Sequence, residues 1–353
     1  MRIGWKSIVA VVAGLPVAGF LVIQLGLIDV RASTGHWQVT DWFLHWVMRS
    51  SVTAAAGSTE APPLDDPGLL PAAAAHFETG CAVCHGSPAA KRPPIGLAML
   101  PPAPDLAHVV GSWSNEELFE IVKHGVRYSG MPAWPSQSRA DEVWALVALL
   151  REMPSMNAAH YRNLAGAPPA GRGATIEARI AYCDSCHAAD RQVGNSVVPI
   201  LSGQSEAYLL ASLQAYHDGD RPSGIMETAV STVDDTDFSK LAAHYARQSA
   251  VPASVSATDP VVLRRGETLA VSGDPARKIP ACAACHGTGR SNPLFPRLDG
   301  LSSRYLASQL RLFVSGERGG TSYHHIMAAA VQDLEEADID ALAAYYAHLP
   351  DRQ

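Results

Sequence analysis

The chain has 353 residues, of which 47% are hydrophobic and 17% are charged, and it contains 28 Gly and 25 Pro. Its length is natural for two or three domains, and its hydrophobic content supports packed cores. The formal net charge of −7 excludes a nucleic-acid-binding protein that relies on a basic surface.

The chain begins with an apolar segment from Ser7 to Ile28, in which Gln24 is the only strongly polar side chain after Ser7. A helix needs about 20 residues to cross a bilayer, so this segment is long enough. Arg2 and Lys6 precede it, which predicts a cytoplasmic amino terminus and a periplasmic remainder. Residues 1–33 are therefore predicted to form a membrane anchor with one pass through the inner membrane. The alternative is a cleaved signal peptide.

Residues 34–67 follow as a predicted helix and linker. Trp37, Trp42, Phe43 and Trp46 lie close together, and tryptophan favours membrane interfaces. One interpretation is a helix at the membrane interface or docked to a membrane partner. The other is an ordinary helix packed on the domain that follows. The stretch from Ala54 to Pro71 is rich in small residues and proline, which is typical of a linker.

All six cysteines occur in three Cys-x-x-Cys-His motifs. This spacing attaches haem c, because two thiols form thioethers with one porphyrin and the adjacent histidine coordinates its iron. We expect three haems c, bound covalently at Cys81, Cys84, Cys183, Cys186, Cys282 and Cys285, with His85, His187 and His286 on the irons. Zinc half-sites, thiol redox pairs or a disulfide framework do not explain a histidine after every second cysteine.

A methionine well downstream of each motif is the candidate for the second iron ligand: Met131, Met226 and Met327. His217 is an alternative to Met226, and His324 or His325 to Met327; a histidine there would give a haem of lower potential. An amphipathic helix precedes each methionine, and a further helical segment follows it. The first set is predicted over residues 115–124, 206–217 and 303–314, and the second over 141–153, 237–248 and 335–348.

These features occur three times in the same order, which predicts domains at residues 68–160, 168–254 and 255–353. The second and third copies match most closely, as in YLLASLQAYHDGDR (208–221) and YLASQLRLFVSGER (305–318). A fixed period of this kind indicates a duplicated unit. A Pro-x-Leu segment also stands between each haem motif and its methionine, at Pro104, Pro199 and Pro296.

Each copy resembles a class I cytochrome c, and residues 168–350 resemble the tandem diheme cytochromes c of bacterial respiratory chains. The whole chain resembles the cytochrome c subunits of periplasmic alcohol and aldehyde dehydrogenases. The resemblance implies an all-α fold with three tandem class I cytochrome c domains, here with an N-terminal transmembrane helix. It also implies that each Pro-x-Leu proline carbonyl accepts a hydrogen bond from the haem histidine, which orients its ring.

The predicted function is electron transfer in the periplasm by a membrane-anchored protein. Electrons would come from a dehydrogenase or a quinol-oxidising partner and pass to a quinone, a soluble cytochrome or a terminal oxidase. No catalytic residues are expected, because six-coordinate iron leaves no open position for a substrate. The alternative is a multihaem redox enzyme such as a cytochrome c peroxidase, which requires one iron with a vacant or displaceable ligand.

Overall fold

The computed structural model describes residues 4–171, 173–191, 196–255, 257–287 and 292–350, without the side chains of residues 6–8. Within these ranges the regular elements are α-helices and short 3-10 turns, with two isolated bridges and no strand. The prediction of an all-α fold is confirmed for this part of the chain. The three predicted domains are named here the first module (68–160), the second module (168–254) and the third module (255–353).

Two helices precede the first module: α1, Trp5–Gln24, and α2, Gln38–Ala56. In the ranges that the structure describes, no helix combines the length and the apolar character that a membrane span requires. The predicted transmembrane helix, and with it the predicted single pass through the inner membrane, is therefore wrong. The apolar segment does not remain helical to its end, because Gly26 has φ of +65° and the chain leaves the helix before Leu27 and Ile28. Arg2 lies outside the described residues.

One face of α2 packs on the first module. The guanidinium of Arg49 lies 4.2 Å from the ring centroid of Trp113, and Thr53 Oγ1 donates a hydrogen bond to Glu117 Oε1 at 2.6 Å. The tryptophans point elsewhere: Trp42 and Trp46 stack at 6.1 Å between ring centroids, and both are exposed. The interpretation of α2 as a helix docked on the neighbouring domain therefore holds for its Arg49 face.

The first module contains seven α-helices within its described residues. They are α3 Leu70–Gly80, α4 Ala82–His85, α5 Pro94–Leu97, α6 Leu106–Val109, α7 Asn115–His124, α8 Ala140–Glu152 and, overlapping its end, α9 Ala158–Ala165. Ser114 and Glu117 form a capping box that satisfies the first amides of α7 and explains why the helix begins there. The core lies between α3 and α8, where Phe77, Val143 and Val147 are fully buried.

The second and third modules repeat a shorter pattern. The second contains α10 Ile176–His187, α11 Glu206–His217, α12 Gly224–Ser231 and α13 Phe238–Ala246. The third contains α14 Pro260–Ser272, α15 Ala283–His286, α16 Ser303–Val314, α17 His324–Val331 and α18 Glu336–His348. Helices α14 and α18 cross closely at Gly266, where an added Cβ would lie 2.1 Å from the carbonyl oxygen of Ala341.

The six helices predicted on either side of the candidate methionines occur where they were expected. Helices α7, α11 and α16 have the predicted bounds, while α8, α13 and α18 differ from prediction by one or two residues at their ends. The predicted linker from Ala54 to Pro71 is shorter in the structure, because α2 continues to Ala56 and a 3-10 turn begins at Pro67. The sequence therefore predicts which segments are helical better than where they end.

Candidate haem sites

The histidine of each Cys-x-x-Cys-His motif makes the same hydrogen bond. The distance from histidine Nδ1 to the proline carbonyl oxygen of the Pro-x-Leu segment is 3.1 Å for His85 and Pro104, 2.8 Å for His187 and Pro199, and 3.0 Å for His286 and Pro296. These are the contacts that the resemblance to class I cytochromes c implies. Three separate segments therefore hold their histidines in one geometry.

This geometry fixes which nitrogen of each ring is available to a metal. A carbonyl oxygen only accepts hydrogen bonds, so Nδ1 must carry the proton and Nε2 must carry the lone pair of the neutral ring. Burial favours the neutral form, since it lowers the pKa of both His85 and His187. A neutral imidazole oriented by a second hydrogen bond is the usual form of a metal-ligating histidine.

The cysteines lie in or beside the helices that end at these histidines, and they form no disulfide. Burial raises the pKa of Cys81 and Cys183 to about 12, and that of Cys186 and Cys282 to about 11. Such thiols are protonated at neutral pH, whereas a thiol redox pair needs an accessible thiolate. A zinc site is not supported either, since no group of three or more His, Cys, Asp or Glu side chains within the described ranges could hold a metal ion.

In the second module the predicted site residues come together around one cavity. Cys183, Cys186, His187 and Met226 all line a space of about 870 Å³, and the rest of its wall is largely apolar. Pro199 and Leu201 of the Pro-x-Leu segment form part of this wall. A cavity of this size suits a large, flat, mostly apolar cofactor.

The three candidate methionines have different surroundings. Met131 lies in a loop whose shape is fixed by two hydrogen bonds: its N–H donates to Ser129 Oγ at 3.1 Å, and its carbonyl accepts from the N–H of Val126 at 3.2 Å. Met226 lies in the first turn of α12, and Met327 lies in α17; both are half-buried against the cores of their modules.

The histidines considered as alternatives to these methionines have other partners. His217 is exposed and its Nδ1 lies 3.0 Å from Asp218 Oδ1. His324 and His325 are exposed, and Nδ1 of His324 lies 2.7 Å from the carbonyl oxygen of Thr321. These surroundings favour the methionines as ligands.

Two arginines and two tyrosines meet where the second module packs on the third. Arg221 donates to Ser212 Oγ at 3.1 Å in its own module and to Gln309 Oε1 at 3.4 Å in the third. Arg318 of the third module donates to the hydroxyl of Tyr208 at 3.1 Å in the second. The cluster, defined as Tyr208, Arg221, Tyr305 and Arg318, lines the same cavity as His187.

The positive charge of this arginine–tyrosine cluster suits a bound anion. Burial opposes ionisation of Tyr208, yet the charges of Arg221 and Arg318 hold its pKa below the ordinary value. Among the ion pairs formed by described residues, none involves Arg221 or Arg318. Two guanidinium groups that face the cavity and form no ion pair with a described carboxylate are complementary to the carboxylates of an entering ligand, and haem carries two propionates.

The sequence indicated part of this arrangement. Tyr208 and Arg221 in the second module occupy the positions of Tyr305 and Arg318 in the third. The repeat therefore showed that the two pairs are equivalent, but it did not show that they are in contact. The sequence analysis did not identify Glu142 as a functional residue. It is buried in the structure and contacts the second module, and nothing in its local sequence distinguishes it from an ordinary carboxylate in the first turn of a helix.

Two family models match parts of the chain. The one described as cytochrome c oxidase, cbb3-type, subunit III matches residues 69–150, and the one described as cytochrome c matches residues 265–350. These ranges lie within the first and third modules.

The curated relatives match about half of the chain. Cytochrome c4 of Pseudomonas aeruginosa is 35% identical over 179 residues, which cover 50% of this chain and 88% of that protein. The thiosulfate dehydrogenase electron acceptor of Thiomonas intermedia is 31% identical over 190 residues, which cover 52% of this chain and 85% of the relative. The solved structure of reduced recombinant cytochrome c4 from Pseudomonas stutzeri is 32% identical, with a TM-score of 0.42, over 50% of this chain and 99% of that structure.

Proposed function

Because the chain belongs to the cytochrome c4 family of c-type cytochromes, we propose that it transfers electrons through three haems c, one in each module. Cytochromes c4 and the thiosulfate dehydrogenase electron acceptors are electron-transfer proteins. This family membership supports the prediction that the chain is an electron-transfer protein and not an enzyme. The observation that carries the proposal of three haems is the histidine–proline hydrogen bond, which occurs in all three modules.

The proposed attachment uses the cysteines and histidines of the three motifs. In the second module, Cys183 and Cys186 would form the thioethers, His187 would bind the iron through Nε2, and Met226 would be the second protein ligand. The corresponding residues are Cys81, Cys84, His85 and Met131 in the first module, and Cys282, Cys285, His286 and Met327 in the third.

A bound haem c supplies an iron that gains and loses a single electron. The chain's own residues set the conditions for that chemistry. The proline carbonyls orient the histidines, the apolar wall of the cavity in the second module excludes water, and Arg221 and Arg318 would pair with the haem propionates. Burial, axial ligand and nearby charge are the factors by which a protein tunes haem potential.

The partners belong to the same proposal. A dehydrogenase is the proposed electron donor, because two relatives are named as electron acceptors of thiosulfate dehydrogenase. A terminal oxidase is the proposed acceptor, because residues 69–150 match a subunit of an oxidase. Rapid mixing of the oxidised chain with a reduced thiosulfate dehydrogenase tests the donor: haem reduction within the turnover time of the dehydrogenase is expected, and a much slower reaction would exclude this donor.

A redox titration followed by absorption tests the number and kind of haems. Three one-electron steps are expected from the purified, fully haem-loaded chain, each with the visible spectrum of a low-spin c-type haem. A total absorbance change that corresponds to fewer than three haems per chain would contradict the proposal.

Carbon monoxide provides the matching test of coordination. If each iron has histidine and methionine as ligands, the reduced protein should bind carbon monoxide slowly or not at all. Rapid binding to one haem would reveal a vacant or displaceable position, and would favour a redox enzyme over an electron carrier.

A further inference from the structure

The helix that carries Met226 receives part of its cap from another module. Glu142, in α8 of the first module, is only 6% exposed. Its carboxylate accepts hydrogen bonds from Ser223 Oγ at 2.5 Å, from the N–H of Gly224 at 2.7 Å and from the N–H of Ile225 at 3.4 Å. These groups lie at the amino-terminal end of α12, two of them in its first turn.

Ser223 completes the cap. Its hydroxyl accepts a hydrogen bond from the N–H of Met226 at 3.0 Å while it donates to Glu142. The first amides of a helix have no partner within the helix, and the amino-terminal end of a helix favours a negative charge. The first three amides of α12 therefore depend on Glu142, either directly or through Ser223.

The same carboxylate also contacts the methionine loop of the first module. Trp134 lies three residues after Met131, and its Nε1–H donates to Glu142 Oε2 at 3.3 Å. The indole lies directly on Gly224, where an added Cβ would be 2.4 Å from Trp134 Nε1. One carboxylate thus joins the segments that carry the candidate methionines of two modules.

Arg139 balances the buried charge. Its Nη1 lies 3.0 Å from Glu142 Oε1 and also donates to the carbonyl of Pro222 at 3.0 Å. A buried carboxylate is tolerated when a cation and several hydrogen bonds compensate for its lost hydration. Glu142 has both, so its position is fixed by contacts on either side of the module boundary.

We propose that Glu142 of the first module is a positioning residue for Met226, and that it holds the methionine of the second module against its haem iron. The inference rests on the proposed function, because it takes Met226 as an iron ligand. It goes beyond that function in making the coordination of one module depend on a carboxylate of another.

Glu142→Ala in the haem-loaded protein is the principal test. Without the carboxylate, the amides of Gly224 and Ile225 lose their acceptor, and the turn that carries Met226 loosens. The red-region charge-transfer absorption of methionine-ligated ferric haem should fall, by at most the amount that one haem contributes to it. One midpoint potential should fall as well, because a haem that loses its methionine has a lower potential.

The sign of the potential change separates positioning from simple electrostatics. Removing a negative charge near an iron disfavours the oxidised form and raises the potential. Glu142→Gln keeps one acceptor oxygen, so it should retain the charge-transfer absorption and show only a small rise. If Glu142→Ala also retains the full absorption and raises the potential, Glu142 acts by charge alone and the proposal is wrong.

Two further variants complete the design. Asp141→Asn removes the neighbouring carboxylate, which pairs with Arg139 but is exposed and does not contact α12, so no loss of absorption is expected. Ser223→Ala is a milder change than Glu142→Ala and decides the question if the latter does not fold. It should reduce the same absorption by a smaller amount, and an unchanged absorption would overturn the proposal.

The wild-type spectrum distinguishes a failure of this inference from a failure of the proposed function. If the unmodified protein lacks the methionine-type absorption, the assignment of methionine ligands is wrong. If the unmodified protein has it and the variants of Glu142 and Ser223 keep it in full, only the positioning role is wrong.

Discussion

The two junctions between modules are built in different ways. Where the second module meets the third, equivalent positions of a repeat face each other: Arg221 stacks on Tyr216 at 4.5 Å and reaches across to the third module, and Arg318 stacks on Phe313 at 4.6 Å and reaches across to the second. Where the first module meets the second, unlike segments meet, and Glu142 fastens α8 to the start of α12.

The difference also concerns charge. The junction of the second and third modules contains two arginines that face a cavity, and it suits an anionic ligand. The junction of the first and second modules contains a carboxylate whose hydrogen bonds and cation come from the protein itself. The carboxylate of the first junction is thus paired within the protein, whereas Arg221 and Arg318 of the second junction form no ion pair among the described residues.

Removing the thiols of the second module is expected to have the largest effect, because this module belongs to both junctions. Cys183→Ala with Cys186→Ala should lose one haem, leave the cavity of about 870 Å³ unfilled and weaken both junctions. Intact mass would count the haems, and thermal unfolding would measure the loss of stability.

The control is the corresponding pair in the third module. Cys282→Ala with Cys285→Ala should also lose one haem but should leave the contacts of Glu142 undisturbed. A larger loss of stability from the second pair than from the third is therefore expected. Equal losses would contradict the view that the second module supports both junctions.

Arg221→Met tests the charge of the second junction. If a carboxylate of the ligand pairs with Arg221, removal of the guanidinium should cost about 3 kcal/mol, since it leaves a buried charge without its partner. Chemical denaturation of the haem-loaded protein measures this change. Arg311→Met is the control: Arg311 is exposed and pairs with Glu336 and Asp340, so the change should stay within about 0.5 kcal/mol. A more stable Arg221→Met protein would mean that no anion binds there.

The first junction should weaken at acidic pH. His76 in α3 is buried, with its ring centroid 4.6 Å from that of Trp134, and burial lowers the pKa of His76 to about 4. As pH falls below about 6.5, the unfolded chain takes up a proton that folded His76 does not accept until about pH 4. Stability should therefore fall by about 2 kcal/mol between about pH 7 and about pH 5.

His76→Gln provides the comparison for this pH dependence. Glutamine does not titrate, so the share of the pH dependence that comes from His76 should disappear from urea unfolding curves. If the variant retains the whole slope of the wild type, other groups cause the acid sensitivity.

Gly224→Ala should have a smaller effect, confined to the first junction. The added Cβ would lie 2.4 Å from the indole nitrogen of Trp134, which must then move. A cost of about 1 kcal/mol is expected from such overpacking, measured by denaturant unfolding. Gly111→Ala is the matched control, because nothing lies within 4 Å of a Cβ there and its φ is not positive. Equal effects of the two substitutions would argue against tight contact between Trp134 and Gly224.

The sequence predicted what local patterns determine. Three motifs identified the histidines, and the resemblance to class I cytochromes c implied that the Pro-x-Leu carbonyls are their hydrogen-bond partners; each pair lies within one module and close along the chain. Hydrophobic periodicity predicted α7, α11 and α16 well, since each helix buries one face against its own module.

Two features could not be derived in this way. Hydropathy counts apolar residues but does not show where a helix stops, so the turn at Gly26 and the end of α1 at Gln24 were missed. The role of Glu142 depends on residues about 80 positions further along, Ser223 and Gly224, and on the way two unlike modules pack. A carboxylate in the first turn of α8 is ordinary for a helix. Only the tertiary structure shows that it also caps another helix.

Mass spectrometry of the intact mature protein, combined with a pyridine haemochrome assay, counts the haems on which the proposed electron transfer depends. Three covalently bound haems per chain are expected, one for each histidine–proline pair. A chain that carries two haems or fewer after full maturation would contradict it, because at least one of the three matching sites would then serve another purpose.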